Sequence, residues 1–376
     1  MSRSYTILGA GFAAITAARK LRALDVQAKI TMIAPRAEFI YLPSLIWIPC
    51  GKRTGDDLRI PLAKFIKRHD INFIEASASG VTNSGRMVST STGDVENDGL
   101  IIACGGRFIK KLPGIEHVIT PCEGIPAAET IRDRLAALSG GTIACGFAGN
   151  PKEPAAMRGG PMFEFLFGID RQLRKEKRRK AFKLVFFCPA PRPGARLGEA
   201  AVDRLLGRMK ELDIDIHIGH KIKGFTADTV TTEGGQFNAD LILFMPGMTG
   251  NAWFKDSELP LSPGGMIRAN KLCQVDGMAK TYVAGDAGSF PGPGWMPKQA
   301  HMADLQADAA ANNLVDELNG KTPSEEFRTE LVCLIDSMDK GALVYRTEKR
   351  QFMLPPLRVG HWAKRAFERQ YLKRLR

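Results

Sequence analysis

A chain of 376 residues, 44% hydrophobic and 25% charged, has the composition of a globular protein and the length for two or three lobes, each with its own core. Its net charge of +13 admits nucleic acid, an anionic membrane surface or an acidic partner protein, but no zinc-finger, RNP or helix-turn-helix pattern is present, so nucleic acid is set aside. Seven cysteines at irregular spacing, with no C-x-x-C, exclude a disulfide scaffold and point to reduced thiols, one or two of which carry chemistry.

No secretory leader pattern is evident before the first strand. The longest uncharged run, residues 39–51, contains two prolines and is too short to span a bilayer.

In chain order, residues 5–8 form an apolar strand, and Gly9, Gly11 and Ala14 follow on G-x-G-x-x-A spacing into a helix over 12–24. The first glycine permits a tight turn, the second lets a pyrophosphate approach the backbone, and the small third residue lets helix and strand pack closely. The phosphates then sit on the free N–H groups of the helix N-terminus. A dinucleotide site usually ends its second strand, here 29–33, with an acid for the ribose. Here that position is Ala34, with Arg36 just beyond. Either other groups hold the ribose, or Arg36 takes a 2′-phosphate; the absence of a second glycine fingerprint favours the first.

Residues 39–61, which include Pro43, form a proline-punctuated loop that either lines a cofactor pocket or packs the core. A short helix is expected at 62–69, strands at 71–75 and 81–90, and a buried strand at 97–106 closing on Gly105 and Gly106. A connection carrying Cys122 leads to a helix at 126–138 and a strand at 142–147. That strand opens a second nucleotide-type lobe, but two prolines intervene before its helix near Pro161, and NAD(P) is not expected there. The basic run 171–180 is either a solvated helix end or a membrane or partner contact. A strand at 184–188, a helix at 199–212 and a strand at 215–218 continue a β-α-β alternation that argues for a parallel sheet.

After a buried strand at 241–245 comes TYVAGDAGSF, in which Asp286 can accept hydrogen bonds from the polyol hydroxyls of a flavin. A helix predicted over 293–314 carries Lys298 and His301 in its first turns, where its N-terminus favours the charge of a reduced flavin. His301 is either a proton relay or structural. The tail holds a hairpin, 330–336 and 341–346, and a basic terminal helix over 357–376. Val359, Ala363, Phe367, Tyr371 and Leu375 recur every fourth residue there, so the helix lies in a membrane interface or packs on its own domain or a second subunit.

Together these pieces resemble the sulfide:quinone oxidoreductases, within the two-dinucleotide-fold flavoproteins that include flavocytochrome c sulfide dehydrogenase and type II NADH dehydrogenases. The resemblance runs almost the whole length. It is most specific in LPSLIWIPCGKRTGDDLRIP, in MPKQAHMADLQADAAANN, and from VCLIDSMDKG to HWAKRAFERQYL.

The resemblance implies an α/β fold of two Rossmann-like lobes plus a C-terminal membrane-facing segment. Residues 1–112 and 237–320 would form the FAD lobe, 113–236 the second lobe without NAD, and 321–376 the tail. It also implies FAD held by Gly9, Gly11, Ala14, Pro43, Gly105, Asp286 and Lys298, and a membrane quinone with Arg158, His301 and Phe367 on the substrate and quinone side. Its redox cysteines match Cys333 and Cys122. In the family chemistry sulfide attacks a cysteine persulfide or disulfide, a thiolate adds to the flavin, and two electrons pass to quinone.

One departure stands out: counting back from Gly160-Pro161, the position of the family's central cysteine is Arg158. Cys145 lies upstream within a strand, and Cys50, Cys104, Cys188 and Cys273 are read as packing residues. The expectation is therefore a peripheral protein of the cytoplasmic membrane that passes electrons from sulfide or a related sulfur donor to quinone. The alternatives are a non-sulfide donor bound through Arg158, or a flavoprotein subunit that docks a redox partner such as a cytochrome. A homo-oligomer stays open.

Overall fold

A computed structural model describes residues 3–376. The first lobe is a five-stranded parallel sheet. Its central strand β1 (Ser4–Leu8) lies between β2 (Lys29–Ala34) and β4 (Gly99–Ile102); β3 (Ile71–Glu75) flanks β2, and β9 (Thr281–Val283) flanks β4. Residues far downstream thus return to complete the sheet that the N-terminus begins. Helix α1 (Phe12–Leu24) buries Ala13, Ala14, Ala17, Ala18 and Leu21. This small-residue face lets it lie close on α5 (Ala300–Leu318), whose Ala303, Ala307 and Ala310 are buried in turn. Thr16 of α1 donates to Asp304 of α5 at 2.6 Å.

The second lobe is also parallel: β5 (Gly141–Phe147) pairs with β6 (Phe182–Cys188) and β8 (Leu241–Met245), and β7 (Ile214–Ile218) flanks β6. Helices α2 (Ile125–Ala137), α3 (Gly160–Lys175) and α4 (Glu199–Glu211) connect and cover it. Nearly all residues of β5, β6 and β8 are buried, as a sheet covered on both faces requires. The tail forms an antiparallel sheet of β10 (Leu331–Asp336), β11 (Gly341–Arg346) and β12 (Gln351–Met353), followed by α6 (Arg358–Lys373).

Four expectations are corrected. The single strand at 81–90 is two antiparallel strands, Ala78–Thr82 and Met87–Thr90, because Asn83, Ser84 and Gly85 take positive φ and reverse the chain. The helix expected from residue 293 starts at Ala300, since Pro297 holds the preceding backbone out of the helical region and the cap residue Gln299 is extended. It also runs on to Leu318. The hairpin of the tail gains a third strand.

The basic run 171–180 ends α3 and is largely exposed, as a solvated helix end is, with three of its arginines also tied inward. Arg174 and Arg179 both hold the buried Asp170, at 2.9 and 2.8 Å, and Arg178 donates to the carbonyls of Leu135 and Leu138. The every-fourth-residue stripe of α6 splits: Tyr371 and Leu375 are buried in the first lobe, whereas Val359 and Phe367 face outward. Tyr371 sits among Phe12, Phe39 and Tyr41 with ring centroids 5.1 to 5.9 Å apart, contacts that add about 0.5–1.5 kcal/mol each beyond area burial.

Candidate cofactor and redox site

The turn after β1 is a backbone cradle. Gly9 has φ of +117°, its N–H donates to Ile33 O at 2.8 Å, and a Cβ there would collide with the Ala103 carbonyl. Gly11 caps α1 in extended conformation, no side chain caps the helix, and its first turn holds no acid. A Cβ on Gly11 would meet nothing within 4 Å. The free N–H groups of α1 therefore face open space, the arrangement that receives a phosphate. Ala14 is fully buried and supplies the close packing, Ala34 is buried, and Arg36 is exposed.

The facing wall comes from the return of the chain after β9. Gly285, at φ +74°, leaves only 3.3 and 3.4 Å between an added Cβ and those of Ala303 and Ala13, so it sits where α1 and α5 meet. Its N–H donates to Gln306 Oε1 at 2.9 Å. The next residue, Asp286, forms an ion pair with Arg158 from the second lobe. Lys298 donates to Gly288 O, with Gly285 O at 3.5 Å. Burial lowers its ammonium to about 8, opposed by the negative charges of Asp286 and Glu153.

Two buried polar atoms next in sequence to residues named above have no partner: Gln299 Oε1, after Lys298, and Ser44 Oγ, after Pro43. Such orphans are costly unless a ligand satisfies them. An isoalloxazine imide is the kind of donor that suits Gln299, so the residues present fit a flavin dinucleotide. Gly105, at φ +70°, leaves its Cβ direction open, and its carbonyl accepts from Asn251 Nδ2 at 3.1 Å. Gln299, Ser44 and Asn251 escaped sequence reasoning because an unpaired or bridging amide has no local signature.

All seven cysteines are free thiols. Cys122 lies in the turn Pro121–Glu123, and Cys333 on β10 lies 3.8 Å from where a Cβ on Gly160, the first residue of α3, would sit. Burial pushes both thiols up, Cys122 to about 11 and Cys333 to about 12. The Arg158 charge draws Cys122 back down while Glu164 pushes it up. Cys333 feels the same Glu164, with Lys364 drawing it down. Both candidate thiols therefore share one electrostatic neighbourhood at the head of α3, and Arg158 connects it to Asp286. Cys145 is buried within β5 and lifted to about 12 by burial alone. Cys188 and Cys273 are buried, and Cys50 and Cys104 partly so.

A second polar cluster lies under α6. Lys364 donates to Glu164, which accepts from the Asp336 N–H at 2.8 Å. Asp336 accepts from His361 Nδ1 at 2.6 Å and from Trp47 Nε1 at 3.2 Å, and Arg53 grips Glu368 with two bonds at 2.9 and 2.7 Å. Sequence reasoning missed this set; its signal was the i, i+3, i+7 spacing of His361, Lys364 and Glu368 on one face of α6. His301 Nε2 lies 2.9 Å from Glu330, and Phe367 is 54% exposed, so neither joins the thiol group directly.

The family described as pyridine nucleotide-disulphide oxidoreductase matches residues 3–307. The chain is 26% identical to the sulfide-quinone reductase of Aquifex aeolicus (strain VF5), over all of this chain and 92% of that protein. It is 24% identical to the type II NADH:quinone oxidoreductase of Staphylococcus aureus (strain NCTC 8325 / PS 47), over 90% of this chain and 89% of that one. Its fold matches the crystal structure of the Aquifex aeolicus sulfide:quinone oxidoreductase with a TM-score of 0.91 at 23% identity, covering 100% and 92% of the two chains. It matches NDH2 of Plasmodium falciparum, solved with NADH, at 0.77 and 11% identity, covering 99% and 95%.

Proposed function

Since the chain belongs to the pyridine nucleotide-disulphide oxidoreductase family, we propose that it is an FAD-dependent enzyme passing electrons from sulfide or a related sulfur donor to a membrane quinone. The observation that carries this reading is the meeting of an uncapped α1 N-terminus with Asp286, Lys298 and the unpartnered Gln299 Oε1 around one junction of α1 and α5. The similarity to sulfide-quinone reductase and to type II NADH:quinone oxidoreductase supports electron transfer to quinone. The flavin, when bound, takes up electrons from the donor and releases them to the acceptor.

In this reading the chain's residues bind and orient. The α1 N–H groups and Gly11 hold the pyrophosphate, with Gly9 and Ala14 shaping the cradle and Pro43 and Gly105 lining the pocket. Asp286 accepts from the ribityl hydroxyls while Arg158 pairs with its carboxylate and holds it in place. Lys298, fixed by backbone carbonyls, holds a positive charge beside the ring, and Gln299 accepts at its edge. Cys122 and Cys333 are the redox thiols. Their raised affinity for protons means that each must release one on reacting, which Arg158 favours at Cys122 and Lys364 at Cys333.

Among the described residues no helix is long and apolar enough to cross a membrane. Contact with a membrane is instead peripheral. Phe352, Leu354, Leu357, Val359, Trp362 and Phe367, all in the tail, are exposed large apolar residues amid lysines and arginines. Such a surface suits an anionic bilayer interface and a quinone entering beside α6, with His301 and Phe367 on that side.

A second reading keeps the flavin and the quinone and changes the donor, because Arg158 places a largely buried cation beside Cys122. Anaerobic mixing of the flavin-loaded protein with sulfide tests both. Fast bleaching of the flavin, reversed by a soluble quinone and abolished in Cys333→Ser, is the expected result. Full activity in Cys333→Ser would remove that thiol from the mechanism. A flavin that stays oxidised under sulfide but bleaches with an anionic donor would favour the second reading.

A further inference from the structure

Between α6 and the loop that carries Trp47 lies a cavity of about 120 Å³, lined by Trp47, Lys52, Arg53, His361 and Arg365. Nothing in the electron-transfer reading uses it. By the same measure one water needs ~10–15 Å³, so a tetrahedral oxyanion fits with water to spare. Its lining holds no carboxylate. Trp47 forms the floor, with the Arg53 guanidinium 5.2 Å from its ring centroid and the His361 ring 5.7 Å away. The Glu368 carboxylate behind the cavity fixes Arg53 in place.

His361 faces the Asp336 carboxylate through Nδ1 at 2.6 Å and Lys52 Nζ through Nε2 at 3.4 Å. Lys52 is otherwise held by the Met338 carbonyl. Three cations line the cavity, and the carboxylates that hold its walls, on Glu368 and Asp336, lie outside the lining.

We propose that this cavity binds the phosphate of an anionic membrane lipid headgroup. The proposal rests on peripheral membrane contact and adds to it a defined recognition site. The lipid source is favoured over free phosphate because the cavity adjoins the apolar face. The Arg365 guanidinium lies 6.0 Å from the ring centroid of Trp362, which is 66% exposed, and Val359, one turn earlier, is 67% exposed. A cation at the headgroup level flanked by an exposed indole is how a peripheral helix seats in an interface. Lysine and arginine donors then meet the phosphate oxygens as charge-assisted hydrogen bonds.

The test is flotation of the full, flavin-loaded chain with phosphatidylcholine vesicles, with and without phosphatidylglycerol. Lys52→Gln/Arg365→Gln is compared with Arg369→Gln/Lys373→Gln, which removes the same charge from exposed positions elsewhere on α6. The cavity pair is expected to lose about tenfold more affinity for phosphatidylglycerol vesicles than the control pair, with binding to pure phosphatidylcholine unchanged. Arg365→Gln alone, at an exposed residue of α6 beside Trp362, is expected to show the same preference at smaller size and guards against a folding defect. Equal losses in the two pairs would mean diffuse attraction and overturn the proposal. So would inorganic phosphate that perturbs Trp47 fluorescence while vesicle binding stays unaffected, since the site would then serve free phosphate. Absence of binding to either vesicle would sink the membrane reading together with the headgroup site, whereas equal binding to both would sink the headgroup site alone.

Discussion

Both parallel sheets launch a helix from a glycine, yet only one launch leaves a phosphate cradle. After β1 the turn is residues 9–11, the cap Gly11 is extended, and nothing stands within 4 Å of its Cβ direction. After β5 the turn is residues 148–159, the cap Gly159 is helical, and a Cβ there would strike the Phe147 ring. Neither helix has a side-chain cap. A free helix N-terminus thus becomes an anion site only where the turn is too short to fold back over it. In the second lobe the same space is filled, and Arg158, placed just before the cap, reaches out to Asp286 of the first lobe instead.

The strongest challenge to this contrast is one methyl group placed in each turn. Gly9→Ala forces a left-handed backbone on alanine and a collision with the Ala103 carbonyl, and is expected to cut flavin retention by about tenfold or more, read from visible absorbance per protein. Gly149→Ala meets only Met157, at 3.8 Å, and is expected to load flavin normally. Comparable losses in the two variants would erase the difference between the launches.

Next in size is the bridge between the lobes. Arg158→Met leaves the Asp286 carboxylate largely buried without its partner, and thermal unfolding is expected to show a loss of about 2–4 kcal/mol. Adding Asp286→Asn should recover part of that loss. Strictly additive effects would mean that the pair does not couple the lobes.

The smallest effect sharpens the first lobe alone. Burial pushes the Asp304 carboxyl up to about 6, above its value in an unfolded chain, so folding favours its protonated form. The stabilisation tied to that proton is complete below about pH 4 and is lost as pH rises through about 6. Asp304→Asn should therefore gain stability over the natural protein by on the order of 2 kcal/mol between those limits, measured by denaturant unfolding at each pH. A difference that does not change with pH would mean that Asp304 is already ionised under Thr16 and Tyr371.

The same contrast separates what could be read locally from what could not. The glycine turn, the strand-helix alternation and the parallel sheets were legible because period, glycine spacing and caps are local properties of the backbone. Asp286 and Lys298 stood out through the small residues and the helix near them, but their contacts with Arg158 and with the Gly285 and Gly288 carbonyls had no local signal. The start of α5 was misjudged by several residues, because Pro297 and the extended Gln299 outweighed helix propensity.

By itself the sequence determined two nucleotide-type lobes, a compact glycine turn in the first, a longer proline-broken turn in the second, an arginine at 158 where the resemblance implies a thiol, and a basic tail. Only the tertiary structure decided that Arg158 answers Asp286, that Cys122 and Cys333 share Glu164 and Lys364, and that α6 buries His361, Lys364 and Glu368 while exposing Val359, Trp362 and Phe367. The physical reason is that apolar spacing on α6 marks which residues can be buried, but partners distant in sequence set which are. A buried acid on α3 and another on β10 hold the polar residues His361 and Lys364 of the helix inward, which leaves Val359, Trp362 and Phe367 facing outward.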